Sequence, residues 1–408
     1  MKTIEVLYQG WGENWPLGRL ADNGRALLFE YSSEALRRGL ELSPRHLPLR
    51  PGAFGGFPTY QERLPGLIAD ALPDGWGQLV MDRYFRKTGI DTARLSPLDR
   101  LAFIGHRAIG ALSFVPSDGR GELLQEDLPL LELAHAVEDV VADRDTIFLR
   151  ALALLGGSPQ GARPKVLINY DAARNLMSNR PGPDMTPWLV KFPARGEHPE
   201  VCFLEDLYAQ LARSCGLDIP ATRAFTHKGL SAFGIARFDV EAGMRVPVHT
   251  LAGVLHANFQ TAVDYTTFLR ITRMLTHDVR EVERAYERAV FNVVFNNRDD
   301  HARNFSFLLG RDQRWRLAPC YDLTFSEGPG GEHHMDVCGE GRSIKRADML
   351  ELAKRGGLER DWAADVIDRF LEHAGNFRNA AAVSGEIRAA TVKQVDSAIQ
   401  SNRKRLSA

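Results

Sequence analysis

The run Asn297-Arg298-Asp299-Asp300-His301-Ala302-Arg303-Asn304, followed at a distance by Tyr321-Asp322-Leu323, sets carboxylates and a carboxamide in an order that phosphoryl transfer can use. In a protein-kinase catalytic loop an Asp accepts the substrate hydroxyl proton and an Asn at the fifth residue after it holds Mg²⁺. A later Asp holds the ions that bridge the ATP phosphates. Asp299, Asn304 and Asp322 fit that order. The residue types suit the ion, because Mg²⁺ takes hard oxygen ligands and usually only one or two carboxylates beside phosphate and water. The plain alternative is that Asp299, Asp300 and Asn304 are helix-stop and turn residues, which are common in such places.

A second segment bears on that choice. Leu154-Leu155-Gly156-Gly157-Ser158-Pro159-Gln160-Gly161-Ala162-Arg163-Pro164-Lys165 is a glycine-rich loop leading into the apolar run Val166-Leu167-Ile168, which reads as a strand. Glycines let backbone N–H groups approach phosphates closely. The loop is not a Walker A, since Ala162 follows Gly161 and no Ser or Thr follows Lys165. Nor does it match the protein-kinase glycine pattern, and taken alone it reads equally as a loop stiffened by Pro159 and Pro164. Further on, Trp188-Leu189-Val190-Lys191-Phe192 sets a lysine in an apolar strand pattern, where an unpaired ammonium is rarely kept. Either it reaches ATP phosphate or it belongs to an edge strand and snorkels to water. In the first case Lys191→Met should cost ATP affinity and little stability of the nucleotide-free protein.

Together these segments resemble the HipA family of serine/threonine kinase toxins of type II toxin–antitoxin modules. The likeness rests on a Gly-Ser-x-x-Gly-Ala-x-x-Lys loop, Leu-Val-Lys-Phe-Pro at Leu189 to Pro193, and Ala-Arg-Phe-Asp at Ala236 to Asp239. It continues in Asp-Asp-His-x-x-Asn-Phe-Ser from Asp299 and Pro-x-Tyr-Asp-Leu from Pro319, and it runs over nearly the whole chain. The resemblance implies that Asp299 is the general base, that His301 braces its loop, and that Asn304 and Asp322 bind Mg²⁺. Lys191 would hold the ATP phosphates. Gly161, Ala162 and Lys165 would lie along the nucleotide, and Arg237, Phe238 and Asp239 would border the adenine. Ser158 occupies the place of a serine that is autophosphorylated in the family, which ejects the loop and switches the kinase off. The loop departs from the family's best-known wording at Arg163 and Pro164. No motif fixes a glutamate partner for Lys191, although Glu205, on a helix expected from Cys202 to Cys215, is offered as a guess. A helix-turn-helix antitoxin is the implied partner, bringing most of the DNA contact, and an aminoacyl-tRNA synthetase is the implied class of protein substrate.

The elements that must hold these residues are legible in outline. Glu283 to Asn297 reads as a helix with Ala285, Val290, Val293 and Val294 inward and Asn296 and Asn297 at its end, and Phe305 to Leu309 with Trp315 to Leu317 reads as a hairpin. At the other end, Leu17 to Leu20 and Ala26 to Tyr31 are strands joined at Asp22-Asn23-Gly24, and Ser32-Ser33 caps a short helix. Leu72-Pro73-Asp74-Gly75-Trp76 then opens an amphipathic helix through Phe85. The expected fold class is α+β, two-lobed and kinase-like. Residues 1–100 form an extra N-terminal α+β subdomain, 101–240 a nucleotide-covering lobe with the glycine-rich loop, and 241–408 an all-helical C-terminal lobe with the catalytic loop. Helices in the last part are expected at Thr266 to Thr276, Glu281 to Phe295, Asp348 to Lys354, Asp361 to His373 and Ala389 to Ser401.

Composition excludes some classes. Of 408 residues, 51 are Lys or Arg and 52 Asp or Glu, so no net charge drives the chain to nucleic acid or membrane, and 44% hydrophobic content can fill two or three cores. Cys202, Cys215, Cys320 and Cys338 lack metal-ligand spacing and read as reduced thiols. Met1 to Val6 begins as a strand and no apolar run approaches the roughly 20 residues of a membrane span, so a soluble cytoplasmic protein is expected. Two other readings stay open. One is a metal-dependent phosphoesterase built on Asp299, Asp300, His301 and His333-His334. The other is a non-catalytic corepressor of a DNA-bound antitoxin. The basic runs Arg37-Arg38, Arg342 to Arg346 and Arg403 to Arg405 could meet DNA phosphates, although such runs are usually solvated surface.

Overall fold

The structure is a computed structural model that describes residues 2–116, 130–156, 161–227, 229–258 and 263–408. Alternation of buried and exposed residues along Lys2–Tyr8, with Ile4, Val6 and Tyr8 inward, makes this strand part of an antiparallel sheet with one face on the core. Trp15–Asp22 and Leu27–Tyr31 pair across the Asn23-Gly24 turn, and the five-stranded order is Ala53–Phe54, Leu27–Tyr31, Trp15–Asp22, Lys2–Tyr8, Leu112–Val115. Ser32 accepts the Ala35 N–H as the N-cap of Ser33–Arg38. The last strand, Leu112–Val115, lies beyond residue 100 in the chain yet completes this first sheet.

A second antiparallel sheet has the order Leu176–Ser178, Lys165–Asp171, Thr186–Lys191, Leu230–Ala236, Thr222–His227. Thr186–Lys191 is its central strand, so Lys191 is not on an edge and the snorkelling alternative fails. Helix Glu200–Ser214 packs on this sheet, burying Cys202 against Phe233 and Ile235.

Beyond residue 250 the chain is mostly helical, with Tyr265–Thr276, Val279–Val294, Arg346–Arg355, Arg360–Gly375, Phe377–Ser384 and Ala389–Leu406. It is not helical throughout, because the hairpin Ser306–Leu309 and Trp315–Leu317 pairs with Val248–Thr250. Helix Val279–Val294 is buried almost all round, and Asn296, at φ +56°, turns the chain into the Asn297 to Asn304 loop. Residues of the first sheet and of these helices belong to one continuous core. Across that junction the His249 imidazole lies 2.7 Å from Asp70 and 3.1 Å from Ser43, and Asp70 also accepts the Thr250 N–H. Among the described residues no helix is long and apolar enough to cross a membrane.

Candidate active site

Lys191 ends the central strand, and its Nζ lies 2.5 Å from Glu205 Oε1 and 2.5 Å from Asp322 Oδ1. Burial works to lower the pKa of this ammonium, but Asp322 and Glu205 outweigh it and hold Lys191 charged. Burial likewise works to raise the Asp322 carboxyl, and Lys191 and Lys165 overcome it, keeping Asp322 ionised well below the usual carboxylate range. Glu205, on the helix behind the strand, also receives Arg163 at 2.7 Å, and Arg163 reaches Glu197 at 3.2 Å. Arg163, which sequence reasoning could only mark as a departure from the family wording, therefore braces the glutamate that faces Lys191.

The Asn297 to Asn304 loop gives its adjacent aspartates opposite surroundings. The Asp299 side chain is 49% exposed, whereas that of Asp300 is fully buried. Asp300 accepts from the Tyr265 hydroxyl at 2.6 Å and from the His334 N–H at 2.8 Å, and lies 2.7 Å from His333 Nδ1. Behind Tyr265 the network continues through Asn292 to Asn297, at 2.9 Å for each step. These buried hydrogen bonds favour one arrangement and hold the loop from below so that Asp299 faces out, although the Asn297 Oδ1 at the end of the chain of bonds is buried without a partner. The other side of the loop is closed by Asn304, whose Nδ2 donates to the Asp299 carbonyl at 2.8 Å. His301 Nε2 lies 3.9 Å and His334 Nε2 3.4 Å from Asp299 Oδ1. Burial pushes the His301 pKa down, so that its ring is neutral near pH 7.

The glycine-rich segment meets this site from a third direction. Gly161, at φ +109°, donates its N–H to Asp74, and a Cβ on it would strike the Lys165 ammonium. Lys165 is buried, and burial first, then the Lys191 charge, bring its pKa down to about 8. Ala162 packs its backbone against Gly75. Ser158 lies outside the described residues. Phe238 stacks obliquely on Tyr321, next to Asp322, with ring centres 5.4 Å apart. Arg237 and Asp239 instead engage one another at 2.6 Å, and Asp239 accepts the Gly110 N–H, so these charges are committed to packing. The structure thus gathers Lys165, Lys191, Asp299, His301, Asn304 and Asp322 with the Gly161 backbone. Sequence reasoning overlooked Asp74, Tyr265 and Asn292, and only the Leu-Pro-Asp-Gly-Trp turn hinted at the first.

The donors present suit Mg²⁺. Asn304 spends its amide nitrogen on Asp299, which leaves Oδ1 as its ligand end, and it lines one hollow with the ionised Asp322. Among the described residues no three His, Cys, Asp or Glu side chains gather as a metal-binding set. An ion here would need further oxygens, such as those of phosphate, which is the habit of Mg²⁺. The same arrangement weakens the phosphoesterase alternative, because Asp300 and His333 are buried against each other and are not open to a metal.

Comparison with known proteins places this geometry in a family. The chain matches the family models for the HipA N-terminal domain over residues 9–115 and the HipA-like C-terminal domain over residues 157–377. It is 26% identical over 245 residues to "Putative kinase Y4mE" of Sinorhizobium fredii (strain NBRC 101917 / NGR234), covering 55% of this chain and 56% of that protein. A Haemophilus influenzae (strain ATCC 51907 / DSM 11121 / KW20 / Rd) protein of similar name is 25% identical over 194 residues, covering 41% of this chain and 52% of its own. The chain therefore spans about half the length of these curated relatives. A chain in the structure of the Shewanella oneidensis MR-1 toxin–antitoxin system HipA, HipB and operator DNA complex superposes with TM-score 0.73 at 18% identity, over 99% of this chain and 97% of that one, a likeness of fold. Since the C-terminal family model alone accounts for more than half of the 408 residues, the chain belongs to the HipA family.

Proposed function

We propose that this chain is an ATP- and Mg²⁺-dependent serine/threonine protein kinase that serves as the toxin of a toxin–antitoxin module. The observation that carries the reading is the buried Lys191 held between Glu205 and Asp322. A lysine paired with a helix glutamate, beside a metal-binding aspartate, is what kinases require for activity. Bound ATP supplies the phosphoryl group and Mg²⁺ shields its charge. Glu205 keeps the Lys191 ammonium in place, where it would hold the phosphates of bound ATP. Asp299, the exposed aspartate of the loop, accepts the hydroxyl proton of the protein substrate. His301, neutral at pH 7, adds no positive charge that would blunt this base. Asn304 keeps the backbone of Asp299 fixed while offering its oxygen to the ion.

In the division we propose, the N-terminal unit extends through Leu112–Val115, a nucleotide-covering lobe runs to about residue 240, and the catalytic lobe follows. The HipB and operator DNA in the Shewanella complex support a helix-turn-helix antitoxin as partner, with DNA reached mainly through it. An aminoacyl-tRNA synthetase is the substrate class that the family resemblance suggests, and Ser158 the site of inhibitory autophosphorylation. Incubation with labelled ATP and Mg²⁺, followed by mass-spectrometric mapping, tests the reading. Transfer is expected, with phosphate on Ser158, and Asp299→Ala should slow it by about 10²–10⁴-fold while leaving Tm unchanged. An undiminished rate in that variant would remove Asp299 from the chemistry.

A further inference from the structure

Asp74 stands at the N-cap of helix Gly75–Lys87, a position where an aspartate ordinarily accepts an N–H of its own helix. Here it makes no capping bond. One carboxylate oxygen accepts the Gly161 N–H, and the other pairs with the Arg303 guanidinium. Gly161 belongs to the glycine-rich segment, and Arg303 sits in the catalytic loop between Asp299 and Asn304. A single carboxylate of the N-terminal unit therefore joins the glycine-rich segment to the loop that carries Asp299.

The neighbours of Asp74 strengthen the connection. Gly75 has φ +41°, and a Cβ there would come within 2.8 Å of Ala162 Cα and of the Gly161 carbonyl oxygen, so only glycine allows the approach. The Trp76 N–H donates to the Gly161 carbonyl at 3.2 Å, and its indole N–H donates to the Lys165 carbonyl at 3.0 Å. The Arg303 backbone is in turn held by the Tyr321 hydroxyl, which donates to its carbonyl at 2.7 Å, one residue before Asp322. Asp74-Gly75-Trp76 thus grips the Gly161–Lys165 segment while Arg303 carries the grip to the residues beside Asp299 and Asp322.

Resting on the kinase reading above, we propose that Asp74 is a positioning residue for phosphoryl transfer. It sets the distance between the backbone that would cradle phosphate and the loop that carries the base. Transfer needs its reacting atoms in near-attack geometry, and a displacement of about 1 Å can cost about 100-fold. An alternative role for the same contacts is blockade, with the carboxylate standing where a phosphate would sit. The two roles predict opposite results.

The test uses the full chain. Wild-type transfer from labelled ATP is measured first, and its absence would defeat the kinase reading itself, whereas the outcomes below concern Asp74 only. If positioning is right, Asp74→Ala lowers kcat by about 100-fold with Tm and the affinity for a non-hydrolysable ATP analogue close to wild type. Arg303→Met should match it, and the double variant should be no slower than either single one, since both break one connection. Arg303→Lys, which keeps the ion pair, should recover most of the rate. Hydrogen exchange at the Gly161 to Val166 amides should rise in Asp74→Ala even without nucleotide, a readout independent of turnover. If Asp74→Ala folds poorly, Asp74→Asn, which keeps an acceptor for the Gly161 N–H and loses the ion pair, should show an intermediate loss of kcat. Tighter nucleotide binding with undiminished turnover in Asp74→Ala, wild-type turnover in Arg303→Met, or a loss that only tracks a falling Tm would each overturn the proposal.

Discussion

Lys191 balances two carboxylates, so its removal is expected to act on folding as well as on the proposed nucleotide binding. From sequence alone Lys191→Met should spare the nucleotide-free protein. The structure reverses this, because Glu205 is almost wholly buried and would keep only Arg163 as a partner. Breaking a buried pair from one side costs about 3–5 kcal/mol, and the lower end applies here, since Arg163 remains and Asp322 is a third exposed. Urea melts of Lys191→Met should show that loss beside lost nucleotide binding, and unchanged melts would mean that the pair is not stabilising. Lys165 gives a pH signature. With its pKa near 8, the ammonium that attracts phosphate is present below that pH and lost as pH rises through it. ATP affinity should therefore hold to pH 8 and then fall by up to about tenfold per unit. For folding the sign is opposite. Between pH 8 and the ordinary lysine value of 10.5 the unfolded chain keeps a proton that the native one has released, so this group's contribution to stability improves as pH rises across that window. Calorimetry with a non-hydrolysable analogue across this range checks the first claim, and a flat profile would remove Lys165 from the phosphate site.

At the level of elements, the proposed catalytic loop depends on helices Tyr265–Thr276 and Val279–Val294, which deliver Tyr265 and Asn292 beneath it. Asp300 is where the helices and the loop meet. Replacing Asp300 by alanine leaves the Tyr265 hydroxyl, His333 and the His334 N–H without their acceptor. We expect a loss of about 3 kcal/mol or more, together with activity. Asp299→Ala should lose activity alone. Equal stability of the two variants in chemical denaturation would show that the network does not hold the loop.

For the molecule as a whole, the question is what keeps the N-terminal sheet on the helical part. Apolar packing joins them in one core, and one of the polar connections is the cluster in which His249 meets Asp70 and Ser43 while Asp70 also accepts the Thr250 N–H. Gly66 and Gly253 allow that contact to be close, since a Cβ on Gly66 would overlap the Gly253 carbonyl. His249→Ala removes a group buried to 1% exposure and should lower stability by about 1–3 kcal/mol. Hydrogen exchange should then speed up in the N-terminal strands before the C-terminal helices. Uniform protection would argue that the junction is held by apolar contact alone.

Much of this molecule is written in short-range signals. Asp22-Asn23-Gly24 marked the hairpin of Trp15–Asp22 with Leu27–Tyr31, Ser32 the cap that follows it, and apolar spacing brought out Tyr265–Thr276, Arg360–Gly375 and Ala389–Leu406 to within a few residues, except that the last runs on to Leu406. The order of Asp299, Asn304 and Asp322 was likewise readable as a proposal for the site, because residue types and their spacing are carried by the sequence itself. What the sequence left open was every question of partnership across the chain. The Asp299 to Asn304 spacing singled out Asp299, but nothing in the sequence showed that Asp300 is buried while Asp299 stays half exposed. It offered Glu205 as a guess, and had no reason to join Asp74 to Arg303, 229 residues later. Caps, turns and periodicity act within about four residues and survive in the sequence. Ion pairs and buried networks depend on which elements pack together, and that packing is settled only when the whole chain closes on one core.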